Sequence, residues 1–218
     1  MLIYAAVYFA VSVLWVFLFS RMGGGVTPGT LWRTFLFGLM SGPVAGVLSH
    51  SIQRATLPAA SSGDHLNEFF LYFLVVGPVE EGLKFLAVVL AALRRTDFRS
   101  SVDGILLGIA AALGFAGGEN VLYLFAFGLS DTLPRLILGN LGHAAYSVFW
   151  GYALGVVMHE NAPFSLILTG LAIASLAHGA YNFLLTRSFL GAMIAFALSA
   201  ALFWFLFVFF RSEANRRS

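Results

Sequence analysis

Residues 101–127 read SVDGILLGIAAALGFAGGENVLYLFAF, an almost unbroken run of apolar and small residues that carries one glutamate, Glu119, in its second half. The run exceeds the ~20 residues with which an α-helix crosses a hydrocarbon core, so it is read as a membrane-spanning helix. Working outward, six further apolar stretches of comparable length can be marked, at 2–20, 31–51, 69–93, 137–158, 164–186 and 189–210. Composition agrees: 60% of the chain is hydrophobic, 16% aromatic and only 10% charged, with a mean hydropathy of +0.89. The expectation is an all-α polytopic membrane protein, a bundle of about seven transmembrane helices forming a single domain over 1–218 with a buried polar site.

Local signals refine the spans. The first stretch starts at Met1 without a basic leader and ends at Ser20-Arg21 instead of a small-residue cleavage site, which predicts a retained helix. The second carries Gly38, Gly42, Pro43 and Gly46 and is expected to bend or to be partly re-entrant. The longest connection, 52–68, holds Pro58, Ser61, Ser62, Gly63 and Asp64, the composition of a loop or lid. Small residues recur at four-residue spacing as Gly38/Gly42/Gly46, Gly104/Gly108, Gly114/Gly118 and Gly151/Gly155, a pattern that lets helix backbones approach closely in lipid. Ser100 and Asp103 have capping-box spacing, which assigns Asp103 to a helix start and leaves it out of any site.

Several function classes are disfavoured by composition. Cysteine is absent, which removes disulfides, thiolate nucleophiles and Cys-type zinc sites together. The sequence pI of about 9.2 raises nucleic acid as a partner, but the arginines are spread over short loops and both ends, so none is expected. With seven spans, Arg21, Arg33, Arg94, Arg95, Arg99, Arg211, Arg216 and Arg217 fall on one side, against Arg54, Arg135 and Arg187 on the other. The positive-inside rule then predicts a multi-pass cell-membrane protein with a cytoplasmic C-terminus and an external N-terminus.

Ionisable groups inside such spans are costly and mark function. In Glu80-Glu81-Gly82-Leu83-Lys84 a helix puts Glu80 and Lys84 one turn apart on the same face, with Glu81 turned about 100° away. Gly77-Pro78, just upstream, is expected to bend the axis near the carboxylates. Phe115, Glu119 and Tyr123 share one helix face. His143 is followed by Ser147, Gly151 and Gly155 at four-residue steps, and His178 and Asn182 form an i, i+4 pair. His50 and His159 near span ends, and His65 in a loop, are assigned to interfacial or solvated positions. At ~1.5 Å rise per residue, Glu80 and Glu81 lie roughly 17 Å, and Glu119, His143 and His178 roughly 9–13 Å, below the outer ends of their spans. Groups from four helices are therefore expected to meet in one outward-accessible pocket in the outer half of the bilayer or near its midplane.

Glutamate and histidine together supply a base for water, an acid for a leaving group and donors for an oxyanion, which points to hydrolysis. In a metal-free version a glutamate is the base and histidine with Asn182 stabilises the oxyanion. In a metal version His143, His178 and one carboxylate hold Zn²⁺ with an open position for water, and a second glutamate serves as base. A Ser147–His143 dyad is the weaker nucleophilic reading. From a different class, an ion- or proton-coupled transporter also uses buried Glu, His and Lys.

The EEGLK run at 80–84, the FAGGENVLY run at 115–123, His143 ahead of a small-residue helix and the HGAYN run at 178–182 together resemble the PrsW family of intramembrane proteases, matching its EExxK and FxxxExxxY blocks in order over about 69–186. The family is similar at a distance to the CAAX-prenyl endopeptidases, which carry histidine where this chain has Glu119. The resemblance implies cleavage of a single-span membrane protein within or beside the bilayer, with Glu80 and Glu81 as the catalytic pair and Glu119, His143 and His178 as catalytic or metal-binding supports. Lys84 and Asn182 fall beside them as substrate-binding or oxyanion groups. It also implies membrane-bound anti-sigma factors, cut on the extracytoplasmic side, as the substrate class.

Overall fold

A computed structural model describes residues 1–21, 25–56, 65–92, 98–129, 136 and 138–215, and among these the regular structure is helical throughout. The elements are α1 (Leu2–Ser20), α2 (Pro28–Thr56), α3 (His65–Phe70), a π-helical segment Leu71–Val76, α4 (Gly77–Ala92), α5 (Ser101–Phe127), α6 (Leu138–Glu160), α7 (Ser165–Leu185) and α8 (Phe189–Asn215). Helices α1, α2, α5, α6 and α7 are each long and apolar enough to cross a membrane. The expected span 69–93 is realised by the run from α3 through the π-helical segment to α4, and the expected span 189–210 lies within α8.

Helix α5 is the axis of the bundle. Every residue from Ser101 to Gly117 is buried, so it is apolar on all sides instead of along one stripe. On one flank, Val16, Phe35, Ile105, Leu113 and Val148 join α1, α2, α5 and α6 in a common core. On the other, Val88, Leu107, Trp150, Leu154 and Ile167 join α4, α5, α6 and α7. The perimeter is the reverse of a water-soluble surface: Leu2 is 81% exposed, Val47 71% and Trp204 67%, which is sensible only against lipid. The protein is a multi-pass membrane protein.

The glycine pairs read from the sequence lie at the two tightest seams. Along α2 and α5, a Cβ on Gly38 would overlap the Ala111 carbonyl and one on Gly114 the Phe35 carbonyl; along α5 and α6, one on Gly104 would overlap the Gly151 carbonyl. Helix α2 is one continuous helix with Pro43 inside it, not a re-entrant path, and its Gly38 and Gly42 serve contact with α5. Of the connection expected over 52–68, residues 52–56 continue α2 and 65–68 belong to α3, while 57–64 lie outside the described residues. Gly114→Val is expected to destabilise the bundle by about 1–3 kcal/mol or more, since its methyls meet backbone that cannot turn aside. Gly46→Ala is the control, because a Cβ there meets nothing within 4 Å; thermal melting in detergent should separate the two.

Asp103 stays outside the polar site. It accepts the Gly25 backbone N–H through Oδ1, while Oδ2 accepts the Arg99 N–H at 2.8 Å and the Ser100 hydroxyl at 3.2 Å. The carboxylate thus ties the start of α5 to the segment entering α2.

Candidate active site

The site begins with a local irregularity in the backbone. Gly77 donates its N–H to the Tyr72 carbonyl, an i→i−5 bond that closes the π-helical segment directly before Pro78. The bend expected at Gly77-Pro78 therefore takes the form of a widened turn, a device found often at functional sites. Glycine is required here for approach: a Cβ on Gly77 would overlap the Ser175 carbonyl, and one on Gly179 would press to 2.8 Å from the Tyr72 carbonyl. The seam brings the first turn of α4 against the His178 turn of α7.

Glu81 is the hub. Its side chain is fully buried. Oε1 accepts from Lys84 Nζ at 2.7 Å and from His178 Nδ1 at 3.0 Å. Oε2 accepts from Ser147 Oγ and Trp150 Nε1, each at 2.9 Å. Lys84, fully buried as well, also donates to His143 Nδ1 at 2.9 Å and lies 4.4 Å from the centre of the Phe115 ring. An ammonium has donors only, so His143 Nδ1 accepts and its Nε2–H is left to donate to Glu119 Oε2 at 3.0 Å. His178 Nε2 lies 3.4 Å from Glu80 Oε2, and the two imidazoles stand edge to face with centroids 4.9 Å apart.

Glu80 and Glu119 also line a cavity of about 460 Å³, together with Gly46 and His50 of α2, Tyr72 of the π-helical segment, Tyr123 of α5 and Asn182 of α7. These positions lie toward the C-terminal ends of α2, α5 and α7, so the cavity belongs to one end of the bundle. The six ionisable residues singled out in the sequence are thus brought together from α4, α5, α6 and α7, with Asn182 in the cavity wall. His65 and His159 are exposed. His50, assigned from its place near a span end to an interfacial role, lines the cavity.

Three contacts go beyond the sequence reading. Lys84 shares a helix face with Glu80, 4.0 Å from its Oε2, yet its nearer partner is Glu81 at 2.7 Å, because i, i+3 residues are also neighbours and the lysine turns inward while Glu80 faces the cavity. Ser147 donates to Glu81, which gives it a role other than that of a nucleophile paired with His143. Trp150 was not recognised at all: an indole in an apolar helix reads as packing, and only the three-dimensional position of its N–H shows otherwise.

A metal set can be tested against the donors. One ligand atom each from Glu80, His143 and His178 lie within 4.8 Å of one another. Two imidazoles and a carboxylate are a catalytic zinc set with room for a fourth ligand. The carboxylate differs from the expected Glu119, which instead meets His143 Nε2. His178 is prepared for ligation, since the Glu81 carboxylate on Nδ1 leaves the Nε2 lone pair facing Glu80. His143 would have to exchange one of its two present partners, Lys84 or Glu119, for the ion. The residues fit such a cation.

A helical membrane bundle that gathers three carboxylates, two imidazoles and an ammonium beside a cavity has the groups that hydrolysis within a membrane requires. The profile of the PrsW family of intramembrane metalloproteases matches residues 27–211. The chain is 33% identical over 208 residues to Protease PrsW of Halalkalibacterium halodurans, covering 93% of this chain and 92% of that one. It is 37% identical over 148 residues to Protease PrsW of Shouchella clausii, covering 66% and 67%, and 35% identical over 120 residues to Protease PrsW of Bacillus subtilis, covering 54% and 55%. No solved structure matches it. The chain belongs to the PrsW family and is an intramembrane peptidase.

Proposed function

We propose that this protein hydrolyses a peptide bond of a single-span membrane protein of the anti-sigma-factor type, on the extracytoplasmic side, with water activated in the cavity by its carboxylates. The observation that carries this reading is the meeting of two cavity-lining carboxylates, Glu80 and Glu119, with the imidazoles of His143 and His178. Orientation follows from charge: Arg21, Arg33 and Arg99 belong to the helix ends opposite the cavity, so the positive-inside rule favours an outward-facing mouth.

Glu80, His143 and His178 would hold a divalent cation, zinc by donor chemistry, which when bound acidifies water and polarises the scissile carbonyl. Glu119 takes a proton from the water as its oxygen bonds to the carbonyl carbon, and returns that proton to the amide nitrogen as the C–N bond breaks. Asn182, one turn from His178 and in the cavity wall, donates its side-chain N–H to the developing oxyanion. One observation favours a metal-free version with Glu80 as base: both ring nitrogens of His143 already have protein partners.

The test is reconstitution with a single-span substrate bearing an extracytoplasmic domain, alongside metal analysis. The expected result is cleavage near the outer membrane boundary by protein carrying stoichiometric zinc, which His178→Ala lacks. Full activity in zinc-free protein would discard the metal scheme, and zinc-loaded protein without cleavage would discard hydrolysis of this substrate class.

A further inference from the structure

Glu81 has no capacity left for water. A carboxylate offers about four acceptor sites, and those of Glu81 are taken by Lys84, His178, Ser147 and Trp150. The side chain is fully buried, and the cavity is lined instead by its neighbour Glu80. A group so enclosed orients others; it does not meet the reacting atoms.

We propose that Trp150 and Ser147 are positioning residues for peptide-bond hydrolysis: they lock the Glu81 carboxylate, which fixes His178 with Nδ1 toward Glu81 and Nε2 toward Glu80. The inference rests on the hydrolytic reading above. His143, Ser147 and Trp150 stand at i, i+4 and i+7 and share one face of α6. One helix face therefore carries the first histidine and both donors that aim the second, so the two imidazoles are registered to each other through α6.

The surroundings suit this task. The indole is held edge-on by Phe85 at 5.6 Å and 90°, and Trp150 is fully buried, so its N–H has a fixed direction. Close approach of α5 at Gly108, where a Cβ would come within 3.0 Å of the Ser147 carbonyl, fixes the serine turn. Each donor gives its hydrogen to Oε2, and losing one leaves the carboxylate free to rotate while its Oε1 partners remain. His178 then keeps a partner but loses its aim, a defect in turnover and not in substrate binding.

The experiment measures cleavage of the single-span substrate by wild type and the Trp150→Phe, Ser147→Ala, Ser147→Thr and Glu80→Gln variants. Trp150→Phe and Ser147→Ala are expected to lower kcat by about 10–100-fold, with KM within about two-fold of wild type and unchanged elution as folded protein, while Ser147→Thr restores most of the loss. Wild-type kcat in both Trp150→Phe and Ser147→Ala, or a loss confined to KM, overturns the proposal. If Trp150→Phe does not fold, the serine pair decides: Ser147→Thr no better than Ser147→Ala overturns it as well. Wild type that leaves the substrate uncut would instead remove the hydrolytic reading, and Glu80→Gln gives the background against which cleavage is scored, so the two failures are distinguishable.

Discussion

Glutamine at position 80 is expected to lower cleavage of a single-span substrate by about 10²–10⁴-fold, the range lost with a positioned acid–base group, without unfolding the bundle. Glu80 is the member of the EE pair that lines the cavity, and its Oε2 lies 3.4 Å from His178 Nε2. An amide of the same shape fills the space but neither takes a proton from water nor serves as an anionic ligand, so both versions of the chemistry fail together. The fold should survive, because the ion pair that anchors α4 runs from Lys84 to Glu81 at 2.7 Å, while Glu80 stands 4.0 Å away. Kinetics with a purified substrate, beside melting of the same preparation, check both halves; substantial retained turnover would remove Glu80 from the reaction.

The same geometry shows how far the sequence could be read. Glu80, Glu81, Lys84, Glu119, His143 and His178 were legible because a charge or an imidazole inside an apolar helix has no inexpensive explanation, and because their depths from one membrane face agreed across four helices. The glycine seams were legible as packing for a similar reason, since small residues at four-residue spacing have few other uses in lipid. Partner choice was not legible. Spacing alone does not decide whether Lys84 turns to i−3 or i−4, and it took the position of α6 to send the lysine toward Glu81 and His143. Trp150 was hidden because its ring satisfies an apolar environment while its N–H does polar work, and His50 because a histidine near a span end looks solvated until three other helices close a cavity beside it.

Removing the ammonium at the centre of the site, by Lys84→Met, is expected to cost about 3–5 kcal/mol, the penalty for stranding one member of a buried ion pair. The methionine chain replaces the buried stem almost in full, so the loss isolates the charge. Glu81 would keep Ser147, Trp150 and His178 as donors but lose its only charged partner within 3 Å, and His143 Nδ1 would lose the donor that sets its tautomer. Phe115 would lose the cation 4.4 Å from its ring centre. Because the cost arises from an unpaired carboxylate and not from a cavity, adding Glu81→Gln should return part of it, with a coupling of about 0.5–3 kcal/mol in a double-mutant cycle. Denaturation of the four proteins in detergent measures that coupling. Strict additivity would mean that the ammonium acts through His143 and Phe115 and not through Glu81, so that the Lys84–Glu81 pair does not hold α4 in the network.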